Sequence, residues 1–167
     1  MTLSGTEITR RTLAFALAAL ACYQLFDYPV FRPLLGGLLL AYGLIMLRQP
    51  LAWLAVLPAS VALLELAHWS GRLFVEDVDI LFLLTLALLL WRTLAPRQPR
   101  AHLPVVIHLV VLALAVSYSI SLVIGLTPWP DWSAPDFLAS FLSPANALRV
   151  SKGFVWAVLL SPFVLRA

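Results

Sequence analysis

Charged side chains that could hold an ionic ligand are concentrated in one stretch between two apolar segments. Glu65 and His68 are three residues apart near the end of one apolar run, so on a helix they share a face. An ionised carboxylate inside such a run is costly in a membrane, so Glu65 is expected to be paired, protonated or beside water. Glu76 and Asp79 have the same spacing where the next run begins, and acids there face the positive end of the helix dipole. The acidic candidates are Glu65, Glu76, Asp77 and Asp79, with His68 as a further polar candidate.

A second polar group opens the last apolar segment. Asn146, Arg149 and Lys152 follow one another at steps of three, which places them on one side of a helix. Together with Arg72 they form a candidate site for a substrate or lipid phosphate. A guanidinium group can bind two oxygens of one phosphate at the same time. Three roles remain open: structural ion pairing with Glu76, Asp77 or Asp79, contact with a lipid headgroup, and binding of a glycan diphosphate carrier.

Several chemistries have no support in the sequence. The single cysteine, Cys22, excludes an internal disulfide and a cysteine-based metal cluster. No phosphate-binding loop, HExxH or GxSxG motif is present, so we expect no metal and no cofactor. The basic residues lie at the ends of apolar runs, where they set orientation, so nucleic acid is not an expected partner. Ser117, Ser121 and Gly125 recur every four residues, a spacing typical of close helix packing.

The composition indicates the elements that must position these residues. Of the 167 residues 62% are hydrophobic and 11% charged, against about 25% charged in soluble domains, and the mean hydropathy is +0.97. The apolar runs are continuous rather than alternating, which favours helices over a barrel. We therefore predict an all-α polytopic transmembrane bundle forming a single domain. Its six spans cover about 12–26, 33–47, 51–69, 78–91, 103–126 and 144–165. The first two spans are short, and a shallow hairpin is the alternative for them.

Positive charge predicts the orientation. Of the eleven basic residues, seven fall on the side of the N-terminus and four on the other side. The seven are Arg10, Arg11, Arg48, Arg92, Arg97, Arg100 and Arg166, and the four are Arg32, Arg72, Arg149 and Lys152. Because cytoplasmic segments carry the excess of basic residues, both ends are expected in the cytoplasm. The predicted location is the bacterial inner membrane, with multiple passes.

Two stretches resemble a known group of proteins. Residues 69–79, WSGRLFVEDVD, precede an apolar span that ends in Trp91-Arg92, and residues 143–156 read SPANALRVSKGFVW. Both resemble the N-terminal membrane region of bacterial polysaccharide polymerase or O-antigen-ligase-like proteins, of the kind called VpsF-like or VanZ-like. The resemblance implies work on lipid-linked glycans at the outer face of the inner membrane. Those proteins are typically much longer, so the chain is expected to be a fragment, a split gene product or an accessory unit.

The leading hypothesis is an integral membrane module of a cell-envelope polysaccharide assembly system. Its expected partners are the lipid bilayer, a lipid-linked glycan and other membrane subunits of that system. One alternative is a glycan polymerase or ligase fragment, in which Arg72, Arg149 and Lys152 engage a diphosphate and an acid acts as base. Another is a small transporter or channel subunit that uses Glu65. Whether the chain is an enzyme is left open.

Overall fold

The structure is a computed structural model that describes residues 5–26, 32–64, 77–92, 104–127 and 146–164, together with residues 129 and 144. Of residues 62–64 and 77 it describes the backbone. The six helices are α1 (Gly5–Phe26), α2 (Arg32–Arg48), α3 (Trp53–Leu64), α4 (Asp77–Arg92), α5 (Val105–Gly125) and α6 (Asn146–Val164). These ranges contain no β-strand. The prediction of an all-α protein is confirmed, and each helix overlaps one predicted span.

The start of α1 differs most from the prediction, whereas α3, α5 and α6 each begin two residues later than predicted. The α1 helix begins at Gly5 rather than Thr12, because a polar turn extends it: the Arg11 guanidinium donates to the Glu7 carboxylate at 2.8 Å, four residues earlier. The α6 helix begins at Asn146. Pro144 lies before it, in a turn in which the Ala147 N–H donates to the Pro144 carbonyl at 3.1 Å. The predicted end of the third span, residues 65–69, lies outside the described residues.

Helices α1 to α4 form one compact unit, and α4 is its central element. Helix α4 contacts α1, α2 and α3, and the contact with α1 is the most extensive of all helix contacts. From residue 78 to residue 90 no α4 side chain is exposed. Ile80 and Thr85 are almost completely enclosed, and Met46 of α2 is fully buried in the same unit. The apolar side chains of this helix are therefore enclosed by protein.

Contacts between residues fix the relative directions of three helices in this four-helix unit. The Tyr42 hydroxyl lies 2.7 Å from the Thr85 hydroxyl, and Arg92 donates to the Met46 carbonyl at 2.9 Å. Contacts therefore advance along α2 and α4 together, so these two helices are parallel. A Cβ on Gly36 would meet Leu25 at 3.4 Å, which places the start of α2 beside the end of α1. Helix α1 therefore runs antiparallel to α2 and α4.

The outward faces of the four-helix unit are apolar. Phe15, Tyr23 and Phe26 on α1 are 65–78% exposed, and Leu40 on α2 is 67% exposed. Helices at the surface of a soluble bundle carry polar residues on this face. An apolar surface of this extent is typical of a protein that contacts lipid or other protein segments.

Helices α5 and α6 form a second unit, an antiparallel hairpin. A Cβ on Gly125 would come within 2.6 Å of the Ala147 Cβ, and the Tyr118 and Phe154 rings stack with centroids 4.7 Å apart. The two contacts advance in opposite directions along the helices, so α5 and α6 run antiparallel. Only Leu126, just after α5, and Leu160 of α6 are buried among the described residues of 104–164.

Two of the described helices, α5 and α6, are long and apolar enough to cross a membrane. Their lengths are 21 and 19 residues, and no residue of the apolar window of α5 is buried. The described α2, α3 and α4 helices have 17, 12 and 16 residues, which is short for a core about 30 Å thick. The structure therefore supports a helical membrane protein in general terms, and the predicted number of six spans remains a proposal.

Candidate functional site

The predicted polar site falls only partly within the described residues. Glu65, His68, Arg72 and Glu76 lie outside them, and the Asp77 side chain is not described. Asp79 belongs to the four-helix unit, and Asn146, Arg149 and Lys152 belong to the hairpin. The predicted convergence of these groups on one site therefore remains a prediction.

Asp79 lies in the first turn of α4, at the helix start where the sequence analysis places it. Asp79 is only 5% exposed, and Val78 and Ile80 on either side of it are also buried. Backbone N–H groups at a helix start stabilise a carboxylate there. Its place in the first turn of the central helix supports a structural role for Asp79.

Asn146, Arg149 and Lys152 occupy the first two turns of α6, and all three are half-buried. At about 100° per residue, Arg149 and Lys152 lie roughly 140–160° around the helix from Ala147, which faces Gly125 of α5. The two basic side chains therefore point away from the α5 contact. This geometry is consistent with the prediction that the three residues share one side of α6. Helix α5 contains no acidic residue, so it does not supply counter-charges for Arg149 and Lys152.

The structure also brings together a second polar cluster, whose arginines entered the sequence analysis only in the count of basic residues that predicts membrane orientation. We call it the arginine end; it consists of Arg10, Arg11, Arg48 and Arg92, with Glu7 and Trp91. Helix directions bring these residues together, because the start of α1 and the ends of α2 and α4 meet at one end of the four-helix unit. Four arginines and one glutamate give this end a formal charge of +3, four minus one.

Arg92 connects α4 to the end of α2. Its Nη1 donates to the Met46 carbonyl at 2.9 Å, and its Nη2 donates to the Leu47 carbonyl. Both carbonyls belong to the last turn of α2, where helical carbonyls have no partner within the helix. The positive charge also complements the negative end of the α2 dipole. Arg92 is thus a cap supplied by a neighbouring helix.

Arg11 connects α1 to the end of α4. Besides its bond to Glu7, its guanidinium carbon lies 5.7 Å from the centroid of the Trp91 ring, within cation–π range. The Trp91 residue itself remains 46% exposed. The sequence pointed to neither contact of Arg11 as a site, although the Glu7–Arg11 spacing of four was a visible signal for the first.

The core of the same unit contains a hydrogen-bonded pair that sequence reasoning missed. The Thr85 hydroxyl donates to the Leu81 carbonyl at 2.7 Å. Since that bond uses the only hydroxyl proton of Thr85, Tyr42 is the donor in the 2.7 Å contact between the two hydroxyls. The signal available was a tyrosine and a threonine within otherwise apolar runs.

Potential metal ligands are not clustered in the described part of the chain, where no three His, Cys, Asp or Glu side chains could hold one ion. Cys22 is exposed on α1. His108 is exposed on α5, with its Nδ1 3.4 Å from the Pro104 carbonyl one turn earlier.

Comparison with known proteins adds no family. The chain matches no protein-family model, no curated protein and no solved structure. What the two resembling stretches imply about function therefore remains a proposal.

Proposed function

We propose that this chain is a multi-pass protein of the bacterial inner membrane, with six spans and both ends in the cytoplasm. The observation that carries the proposal is the apolar and uncovered surface of α5, 21 residues long with no buried residue in its apolar window. In water such a surface would be strongly unfavourable, since each exposed apolar Å² costs about 25 cal/mol. The exposed aromatic residues Phe15 and Phe26 on α1 add to this surface.

The arrangement of the four-helix unit supports the proposed orientation. Arg11, Arg48 and Arg92 lie at one end because α1 runs antiparallel to α2 and α4. A cytoplasmic location for this end agrees with the excess of basic residues in cytoplasmic segments. The short α2 and α4 helices are accommodated by local thinning of the bilayer or by flanking residues.

We further propose that the protein is a module of a cell-envelope polysaccharide assembly system. The resemblance of residues 69–79 and 143–156 to polysaccharide polymerase and O-antigen-ligase-like proteins supports this role. In this proposal Arg149 and Lys152 bind the phosphate of a lipid-linked glycan or pair with acids of a partner subunit. Their position on the side of α6 that faces away from α5 is compatible with such contacts.

Membrane fractionation tests the first part of the proposal. After alkaline carbonate extraction, an integral protein stays with the membrane pellet, whereas a peripheral protein is released. Release of this chain into the supernatant would contradict the proposed insertion.

Surface polysaccharide in the host tests the second part. Replacing both Arg149 and Lys152 by Ala is expected to lower the amount of polysaccharide, because two phosphate-binding cations are lost. The charge-conserving double variant Arg149→Lys, Lys152→Arg is the matched control and should retain most of it. Unchanged polysaccharide in a stably expressed alanine double variant would contradict the role of these residues.

A further inference from the structure

The arginine end has the charge and the placement of a binding site for an anion. Three helices contribute to it: Arg10 and Arg11 come from α1, Arg48 from α2 and Arg92 from α4. Glu7 is the only acid there among the described residues, so the end retains a charge of +3 after Glu7 is counted. A local excess of three positive charges attracts anions.

Two of these guanidinium groups are held in place. Arg92 uses two of its five N–H donors on the carbonyls of Met46 and Leu47. Arg11 donates to Glu7 and lies over the Trp91 ring. Because these side chains are already ordered, little further conformational entropy is lost when an anion binds.

Arg48 is the accessible member of the cluster. It is exposed, and it makes no ion pair or hydrogen bond through its side chain with any part of the chain that the structure describes. It directly follows Leu47, whose carbonyl accepts a hydrogen bond from Arg92, so Arg48 belongs to the same end of the unit. Guanidinium groups bind phosphate oxygens through charge-assisted hydrogen bonds.

The surroundings indicate that the anion belongs to a lipid. Trp91 is 46% exposed at this end, and tryptophan is enriched at the level of membrane headgroups. The exposed apolar residues Leu44 and Leu47 of α2 lie within about one turn of Arg48. A phosphate carrying acyl chains can contact both the arginines and these apolar side chains, whereas a free phosphate can contact only the arginines.

We propose that the arginine end binds the headgroup phosphate of an anionic phospholipid in the cytoplasmic leaflet. This inference goes beyond the role in polysaccharide assembly and rests on the proposed membrane insertion and orientation. Carbonate extraction tests that insertion separately, so the two can fail independently. In the membrane the bound lipid would connect α1, α2 and α4 at their cytoplasmic ends.

Lipid binding can be measured on the full chain, purified in a non-ionic detergent, by native mass spectrometry during titration with phosphatidylglycerol. We expect Arg48→Gln to weaken phosphatidylglycerol binding about fivefold, the effect of one basic residue near a membrane surface. Phosphatidylcholine, whose phosphate is paired with choline, should bind more weakly to the wild type. Raising the salt concentration should weaken phosphatidylglycerol binding, because exposed charges are screened.

The matched control is Arg32→Gln, which removes the same charge from the first residue of α2, at the opposite end of the unit. This variant should bind phosphatidylglycerol like the wild type. Equal losses in Arg48→Gln and Arg32→Gln would overturn the proposal, because binding would then follow net charge alone. Inorganic phosphate that displaces the lipid at equal concentration would also overturn it, by showing that the acyl chains contribute nothing. Arg48→Lys, which retains the charge, should give an intermediate affinity; a loss equal to that of Arg48→Gln would count against charge attraction.

Discussion

At the scale of single residues, the four-helix unit is connected by side chains that donate across helix boundaries. Tyr42 donates to Thr85 between α2 and α4, and Arg92 donates to the last carbonyls of α2. Tyr42 and Thr85 are buried, so water cannot replace the bond between them. These bonds therefore specify which helices pack together, in addition to contributing stability.

The Tyr42–Thr85 bond can be tested with a double-mutant cycle of Tyr42→Phe and Thr85→Val. We expect a coupling free energy of about 0.6 kcal/mol and at most about 1.7 kcal/mol, the range of hydrogen bonds between membrane helices. Unfolding by sodium dodecyl sulfate, followed by far-ultraviolet circular dichroism, gives the four free energies. A coupling of zero would show that the two hydroxyls do not interact.

The Arg92 cap predicts a larger effect than the loss of an exposed arginine. Arg92→Gln leaves two terminal carbonyls of α2 without their charged donor and should lower the free energy of unfolding by about 1.5–3 kcal/mol. Arg48→Gln, at the same end but exposed, should change it by less than about 0.5 kcal/mol. The same denaturation assay measures both, and equal effects of the two variants would contradict the proposed cap.

At the scale of helices, the α5–α6 hairpin depends on a close approach at Gly125. A Cβ at this position would lie 2.6 Å from the Ala147 Cβ, too close for two carbon atoms that are not bonded to each other. Glycine thus allows the end of α5 to contact the start of α6. The Tyr118–Phe154 stack continues the contact two turns further along.

Substitution at this crossing tests the packing. Gly125→Ala should destabilise the hairpin by about 1–3 kcal/mol, the usual cost of overpacking, and Ala147→Gly in the same chain should recover part of the loss. Gly153→Ala is the control, because a Cβ there meets nothing within 4 Å. Thermal unfolding in detergent measures each variant. An unchanged midpoint for Gly125→Ala would refute the close approach.

The positions of the helices could be predicted from the sequence, because continuous apolar runs of this length form helices. The early start of α1 at Gly5 was missed, since the Glu7–Arg11 pair extends the helix through residues that are not apolar. The central position of α4 could not be predicted. Its run from Ile80 to Leu90 is apolar whether it faces lipid or protein, and only its contacts show which.

The candidate sites were less predictable than the helices. The sequence places Arg149 and Lys152 on one side of α6, because that depends on local spacing alone. The Arg92 cap depends on carbonyls 45 and 46 residues away. Backbone carbonyls are present in every residue, so residue types carry no signal for such a bond.

At the scale of the whole molecule, the proposed topology predicts which positions are reached from each side of the membrane. In a Cys22→Ser background, we expect a membrane-impermeant maleimide to label Thr127→Cys in intact cells. It should label Gln49→Cys only after the membrane is permeabilised, because Gln49 follows Arg48 at the proposed cytoplasmic end. Labelling of Gln49→Cys in intact cells would contradict the orientation.

The central helix of the four-helix unit is also the last of the four to be synthesised. The ribosome adds about 5–20 residues each second, and 66 residues separate the end of α1 at Phe26 from the end of α4 at Arg92. In the proposed topology, helix α1 is therefore present for about 3–13 s before synthesis of α4, the helix with which it makes its most extensive contact, is complete. During that interval Tyr42 lacks its acceptor and the end of α2 lacks its arginine. In the proposed topology, the insertion machinery therefore accommodates three helices whose contacts with α4 have not yet formed.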